Sequence, residues 1–217
     1  MTHLPISVRR FLWATAGSLG VALAAHAQTY ELNRFLSGGG GGSDPKKQAI
    51  ATRMGAYICV GVSPDPSGGA RFTLWSSIPE RNSRIRNIAI DTGRHSGLFT
   101  NLTIKLASPS VKAKMGAAMP HAFLPRFSPK YWIDIPAPSG IAPGNMIVLS
   151  ATLGAGKSFA DVVNALNEGI NPATASTGLR IGVVANYLLG GPPPGVGTIQ
   201  DDGGFVTSGI AKSCSPG

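Results

Sequence analysis

The sequence predicts a mainly-β chain: an antiparallel β-sandwich with one short amphipathic helix at about residues 158–168. Three observations carry that expectation. Apolar residues recur at every second position in several separate runs, and Gly, Pro, Ser and Asp clusters punctuate those runs. One stretch alone switches to helical spacing.

Taken in order, Gln28 to Leu36 reads as a short edge strand or extended arm. Ser37 to Ser43, with five consecutive glycines, reads as a flexible tether, so the folded domain is expected to begin near Lys46. Ala56, Ile58, Val60 and Val62 then alternate with Tyr57, Cys59 and Gly61, and Phe72 and Leu74 alternate with Arg71 and Thr73. Leu102, Ile104 and Leu106 alternate with Asn101, Thr103 and Lys105, the pattern of a half-buried strand with those three residues inward. Met146 to Leu153 is apolar on both parities, as expected of a strand covered on both faces. Leu179, Ile181, Val183 and Ala185 alternate with Arg180, Gly182 and Asn186, and Phe205 to Thr207 continues in the same style. Turn chemistry separates these runs at Ser63–Gly69, Ala137–Gly140 and Gly190–Gly195. The helical stretch carries Phe159, Val162, Val163, Leu166 and Ile170 on one face. Ser158 stands at its N-cap, Asp161 three residues on as capping-box partner, and Gly169 where it is expected to end.

The N-terminus is built for export. Arg9 and Arg10 precede an apolar run from Phe11 to Ala24, and Ala25-His26-Ala27 supplies small residues where a signal peptidase reads them. The expected organisation is a signal peptide at 1–27, an arm and tether at 28–45, a sandwich domain at 46–213 and a tail at 214–217. The remaining chain, about 190 residues, is long enough for one domain with a sizeable core. It holds no second apolar run of membrane-spanning length, so no transmembrane anchor is expected after cleavage, and the localisation read from the sequence is secreted or periplasmic. In an oxidising compartment Cys59 and Cys214, 155 positions apart, are expected to form a disulfide. Chain entropy values such a closure at roughly 5 kcal/mol.

Residues that chemistry needs are scarce. After the signal there are two histidines, His95 and His121, with no G-x-S-x-G elbow and no H-E-x-x-H helix. Asp91 and His95 are close enough in sequence for an acid–base pair, although a solvated turn is the commoner explanation of such residues. Ala151 to Ser158 fits the loose form of a phosphate loop with alanine at the first glycine position. A strand end, a glycine turn and a helix cap account for the same residues. Asp201 and Asp202 are weak metal candidates, adjacent where calcium ligands are usually spaced by two, and no metal or cofactor is expected.

Formal charge is +9 for the whole chain and, once Arg9 and Arg10 leave with the signal, 17 minus 10 or +7 for the rest, which favours an anionic surface or polysaccharide as partner. Arg81, Arg84 and Arg86 form the densest basic stretch and are candidate ligand-binding residues. No aromatic interleaves them, so nucleic acid is not expected. Tyr131 and Trp132, between prolines, are candidates for a sugar-stacking platform.

From Gly140 onward the order of features has a familiar look. A Pro143-Gly144-Asn145 turn, a strand, Gly156-Lys157-Ser158-Phe159-Ala160-Asp161-Val162, a short helix and Leu179-Arg180-Ile181-Gly182 follow one another. This resembles a β-rich ectodomain of exported bacterial surface proteins of the exosortase-sorted, PEP-CTERM-like kind, here without the C-terminal anchor. The resemblance implies a non-catalytic role and a structural role for Gly156-Lys157-Ser158. The expected function is an exported, non-catalytic surface or extracellular-matrix protein that binds polysaccharide. Alternatively it self-assembles as a homo-oligomer through Tyr30, Leu32, Phe35 and Leu36 of the arm. The alternatives are a secreted hydrolase using His95 or His121 and, remotely, nucleotide binding at 151–158.

Overall fold

A computed structural model describes residues 27–32, 34–38, 57–79, 82–116, 127–171, 174, 176–186 and 203–206. In chain order the elements are β1 (Gln28–Glu31), β2 (Arg34–Gly38), β3 (Ile58–Pro64), β4 (Ala70–Ser76), β5 (Arg84–Asp91) and β6 (Phe99–Ala107). They continue with β7 (Lys114–Met115), β8 (Tyr131–Asp134), β9 (Met146–Leu153), α1 (Phe159–Ile170), β10 (Arg180–Asn186) and β11 (Gly203–Val206). Sheet one has the order β1-β3-β4-β9-β6 and sheet two β2-β11-β10-β5-β8-β7. Every ladder is antiparallel. The chain is therefore a two-sheet, mainly-β sandwich with one short helix.

Strand parity builds the core. Val60 and Val62 of β3, Phe72 and Leu74 of β4 and Ile147 and Leu149 of β9 point inward from sheet one. Ile88 and Ile90 of β5, Ile133 of β8 and Ile181 and Val183 of β10 meet them from sheet two. Phe72 and Phe99 pack edge to face at 5.8 Å between ring centres.

The arm belongs to this core. β1 pairs with β3, β2 pairs with β11, and Tyr30 and Leu32 are fully buried. Residues 28–38 thus supply an edge strand to each sheet, and the fold begins at Gln28 rather than near Lys46. The tether reading also shortens, because Ser37 and Gly38 are strand residues. Burial pushes the Tyr30 phenol up to about 12, as expected of a hydroxyl removed from water.

Two β-bulges explain where alternation misleads. Between Val184 and Ala185 the register with β5 skips Arg86, which moves the inward set from Ile85 to Ile88 and Ile90. β5 consequently lacks clean period two. In β6 the register skips Lys105, so Leu106 turns outward opposite Val148 and is 54% exposed, not buried as its spacing predicts. β9 is covered along its inner face, and on its outer face Val148 is buried while Met146 and Thr152 are exposed.

Helix α1 closes one end of the sandwich with Val162, Ala165 and Leu166. The capping box is complete: the Asp161 amide donates to Ser158 Oγ at 3.3 Å and the Ser158 amide to Asp161 Oδ2 at 2.7 Å. Gly169 does not end the helix, which runs on to Ile170. A Cβ at Gly169 would overlap the Leu179 carbonyl, so that glycine lets α1 lie against the start of β10.

Because Leu32 sits in the core, Leu32→Ala is expected to lower unfolding stability by about 2–4 kcal/mol, read by chemical denaturation. An arm that only visits other copies would leave stability unchanged.

Candidate functional site

Sheet two is covered on much of its outer face: Ala89, Trp132 and Val184 point outward and remain buried. Sheet one differs. Its ladders align outward residues in transverse rows, of which the first is Glu31, Cys59, Trp75 and Met146. The second row is Thr29, Gly61, Thr73, Val148 and Leu106, and the third is Ser63, Arg71, Ser150 and Thr103. Near the first two rows, Tyr57, Met146 and Leu106 expose 42%, 39% and 54% of their surface.

A groove of about 260 Å³ opens there, lined by Thr73, Trp75, Ser76, Ser108, Asn145 and Met146. Trp75 forms its aromatic wall. The indole leans over Gly61, where an added Cβ would stand 3.3 Å from the ring, so the missing side chain at Gly61 seats the indole on β3. The Trp75 ring N–H is buried without a hydrogen-bond partner among the described residues. The Ser108 hydroxyl accepts from the Met146 amide at 3.0 Å, and the Asn145 side-chain amide donates to Ser110 Oγ at 2.8 Å. These bonds hold the polar rim in place and use neither the Ser108 proton nor the Asn145 side-chain carbonyl. An apolar aromatic wall with a hydroxyl and amide rim suits a ligand that is flat, apolar on its faces and hydroxylated at its edges.

The third row ends at a polar corner. Asp65 accepts from the Ser67 amide at 3.0 Å, Ser67 Oγ at 2.7 Å and Ser150 Oγ at 3.1 Å, with Arg71 at 3.5 Å. The Ser67 bonds in particular hold its carboxyl down at about 2.

At the opposite end of β9 from the groove lies a polar hollow, also about 260 Å³, lined in part by Arg94, His95, Lys157, Asp161, Asn164 and Glu168. His95 Nε2 meets Glu168 at 2.8 Å and Arg94 meets it at 3.1 Å. The Thr177 hydroxyl also donates to Glu168, and this bond more than any other lowers the Glu168 pKa. The Asp91–His95 pair suggested by proximity in sequence does not form. Asp91 instead takes the Arg180 guanidinium and the Gly93 and Ser128 amides at 2.9 and 3.2 Å.

The other expected site residues are distributed as follows. Trp132 is 6% exposed and packs against Gly116, and the Tyr131 hydroxyl donates to the Phe99 carbonyl at 3.2 Å, so the two form no exposed platform. Arg86 donates through Nε to the Ile135 carbonyl at 2.9 Å and Arg84 to the Ser83 carbonyl at 2.7 Å, which ties both to backbone. Cys59 is buried. Cys214, Arg81, His121, Asp201, Asp202 and most of the expected signal segment lie outside the described residues. Among the described residues no group of three or more His, Cys, Asp or Glu could hold a metal ion, and no helix is long and apolar enough to cross a membrane. The Trp75 groove escapes sequence reasoning because Gly61, Trp75, Ser108 and Asn145 are drawn from four separate segments. The one local signal was a tryptophan on the outward parity of β4.

Comparison with family models, with curated proteins and with solved structures found no match to this chain.

The Asp65 corner gives a measurable acid dependence. Its folded carboxyl lies below the ordinary 3.8, so its contribution is complete above about pH 4 and is lost as pH falls toward about 2. Asp65→Asn is expected to cost on the order of 1 kcal/mol at neutral pH and to flatten stability across that window, followed by denaturation at a series of pH values.

Proposed function

We propose that this chain is an exported, non-catalytic β-sandwich protein that binds polysaccharide on the outer face of sheet one, with Trp75 as the stacking residue. The observation that carries this reading is the open groove in which Trp75 and Met146 form apolar walls beneath a rim of Thr73, Ser108 and Asn145. A pyranose ring presents C–H groups on its faces and hydroxyls at its edges, which matches that arrangement. Neighbouring exposed positions, Tyr57 and Leu106, widen the surface along which a chain of sugars can run. Export rests on the N-terminal pattern of residues 1–27, and the Cys59–Cys214 bridge is part of the same reading: a two-cysteine chain released from an oxidising compartment is expected to show no alkylatable thiol until reduced.

The secreted hydrolase stands as a second reading because His95 and Glu168 make the hydrogen-bonded pair that a general base requires. It demands turnover of an ester or glycoside that His95→Ala abolishes.

Binding is tested by tryptophan fluorescence on the secreted chain with neutral hexasaccharides of β-1,4-glucose, β-1,3-glucose and β-1,4-xylose. Trp75 and the buried Trp132 are the tryptophans left after signal cleavage, so a saturable change reports chiefly on the groove. Trp75→Ala is expected to weaken binding about tenfold or more with an unchanged melting temperature. Gly61→Val, which displaces the indole, is expected to weaken it in the same direction. No response to any of the three glycans, or undiminished binding by Trp75→Ala, would overturn the reading. So would a concentration-dependent dimer that Trp75→Ala dissolves, since the face would then serve a second copy.

A further inference from the structure

We propose that the polar hollow between α1 and the turn joining β5 to β6 is a second binding site, one that takes the carboxylate and hydroxyls of an acidic sugar. This extends the glycan-binding reading but does not rest on the Trp75 groove, which lies at the other end of β9, roughly 25 Å away for an eight-residue strand.

The hollow is assembled from three segments. Asp161, Asn164 and Glu168 stand at helical spacing on one face of α1. Arg94 and His95 come from the β5–β6 turn, and Lys157 from the loop that follows β9. A Cβ at Gly154 would overlap the Gly97 carbonyl, so that glycine draws the loop and the turn together and brings Lys157 to the hollow. The Gly154 amide donates to the Leu98 carbonyl at 3.0 Å and secures the approach.

Its charges are not equally committed. Asp161 is turned to the Ser158 amide and hydroxyl at 2.7 and 2.8 Å. Glu168 is held by Arg94, His95 and Thr177. The Lys157 ammonium makes no ion pair among the described residues, although its charge is close enough to Asp161 to help lower that carboxyl's pKa, and Asn164 is exposed beside it. A carboxylate placed against Lys157 and the Asn164 amide gains a charge-assisted hydrogen bond. The same ligand's hydroxyls can donate to the outward lone pairs of Asp161 and Glu168. A bare anion would meet those two carboxylates with nothing to offer them, whereas a uronic acid satisfies both sets. Phosphate is disfavoured for a separate reason: the capping box sets the Asp161 carboxylate at this helix start, on the Ser158 amide, so a phosphate there would meet an internal negative charge.

The test is a two-dimensional NMR titration of the secreted chain with D-galacturonate, D-galactose and acetate as separate arms. Galacturonate is expected to shift the amide resonances of Lys157 and Asn164 with saturation, and galactose and acetate to bind at least about tenfold more weakly. Lys157→Gln, an exposed substitution, is expected to weaken galacturonate about tenfold without lowering the melting temperature. Trp75→Ala is expected to leave galacturonate binding intact, which keeps this site separable from the groove. Acetate binding as tightly as galacturonate would replace the sugar with a bare carboxylate and overturn the proposal. Equal binding of galactose, or a Lys157→Gln chain that binds galacturonate as the parent does, would overturn it as well.

Discussion

Burial of one face of each antiparallel sheet against the other is the constraint on which the rest of this molecule depends. A strand alternates its side chains between two sides, so once Val60, Phe72, Leu149, Ile88 and Val183 are committed inward, the outward set of each strand is decided too. Fully burying each such aliphatic or aromatic side chain contributes about 1.5–3 kcal/mol, set against the chain entropy of ordering it. The N-terminal arm obeys the same rule. Tyr30 and Leu32 are in the core because β1 pairs with β3 in the register that points them inward.

That division leaves two unlike outer faces. On sheet two Ala89, Trp132 and Val184 are covered, and Trp132, which has the chemistry of a stacking residue, is spent on packing against Gly116. Sheet one keeps its outward rows partly open, so an aromatic side chain there is available to a ligand. Trp75 is poised rather than merely exposed, because Gly61 in the neighbouring strand gives its ring a flat seat. Leu106 joins this surface through the bulge at Lys105, a local irregularity that moves one apolar side chain from core to solvent. The same bulged strand is an edge of sheet one, where twist and a lysine discourage pairing with another chain.

At the far end of β9 the helix start shows how one motif can carry two meanings. Gly154, Gly156, Lys157 and Ser158 look like a phosphate loop in sequence. In space Gly154 permits a close approach to Gly97, Gly156 adopts a positive φ of 71°, and Ser158 caps α1 with Asp161 as its partner. An internal carboxylate therefore stands where an external anion would sit, and Lys157 is left to face the hollow. The ion cluster of Arg94, His95 and Glu168 ties the β5–β6 turn to α1 at that hollow.

The sequence by itself determined the class of fold, the runs that became β3, β4, β6, β9 and β10, and the helix with its cap. Those features are local: period two, period 3.6 and the Ser158–Asp161 spacing are properties of neighbouring residues. It did not disclose β5 and β8 as clear strands, since the bulge at Arg86 breaks the alternation of one and the other spans only Tyr131–Asp134. Tertiary structure alone decided that the arm folds into both sheets, that Leu106 faces out, that His95 meets Glu168 instead of Asp91, and that Trp75 rather than Trp132 borders an open groove. Each of those outcomes depends on which strand lies beside which, and strand order joins residues far apart in the chain, such as Trp75 with Met146 and Arg94 with Glu168. A pattern confined to one segment cannot encode its neighbour across a sheet, and that is where the candidate sites of this protein are made.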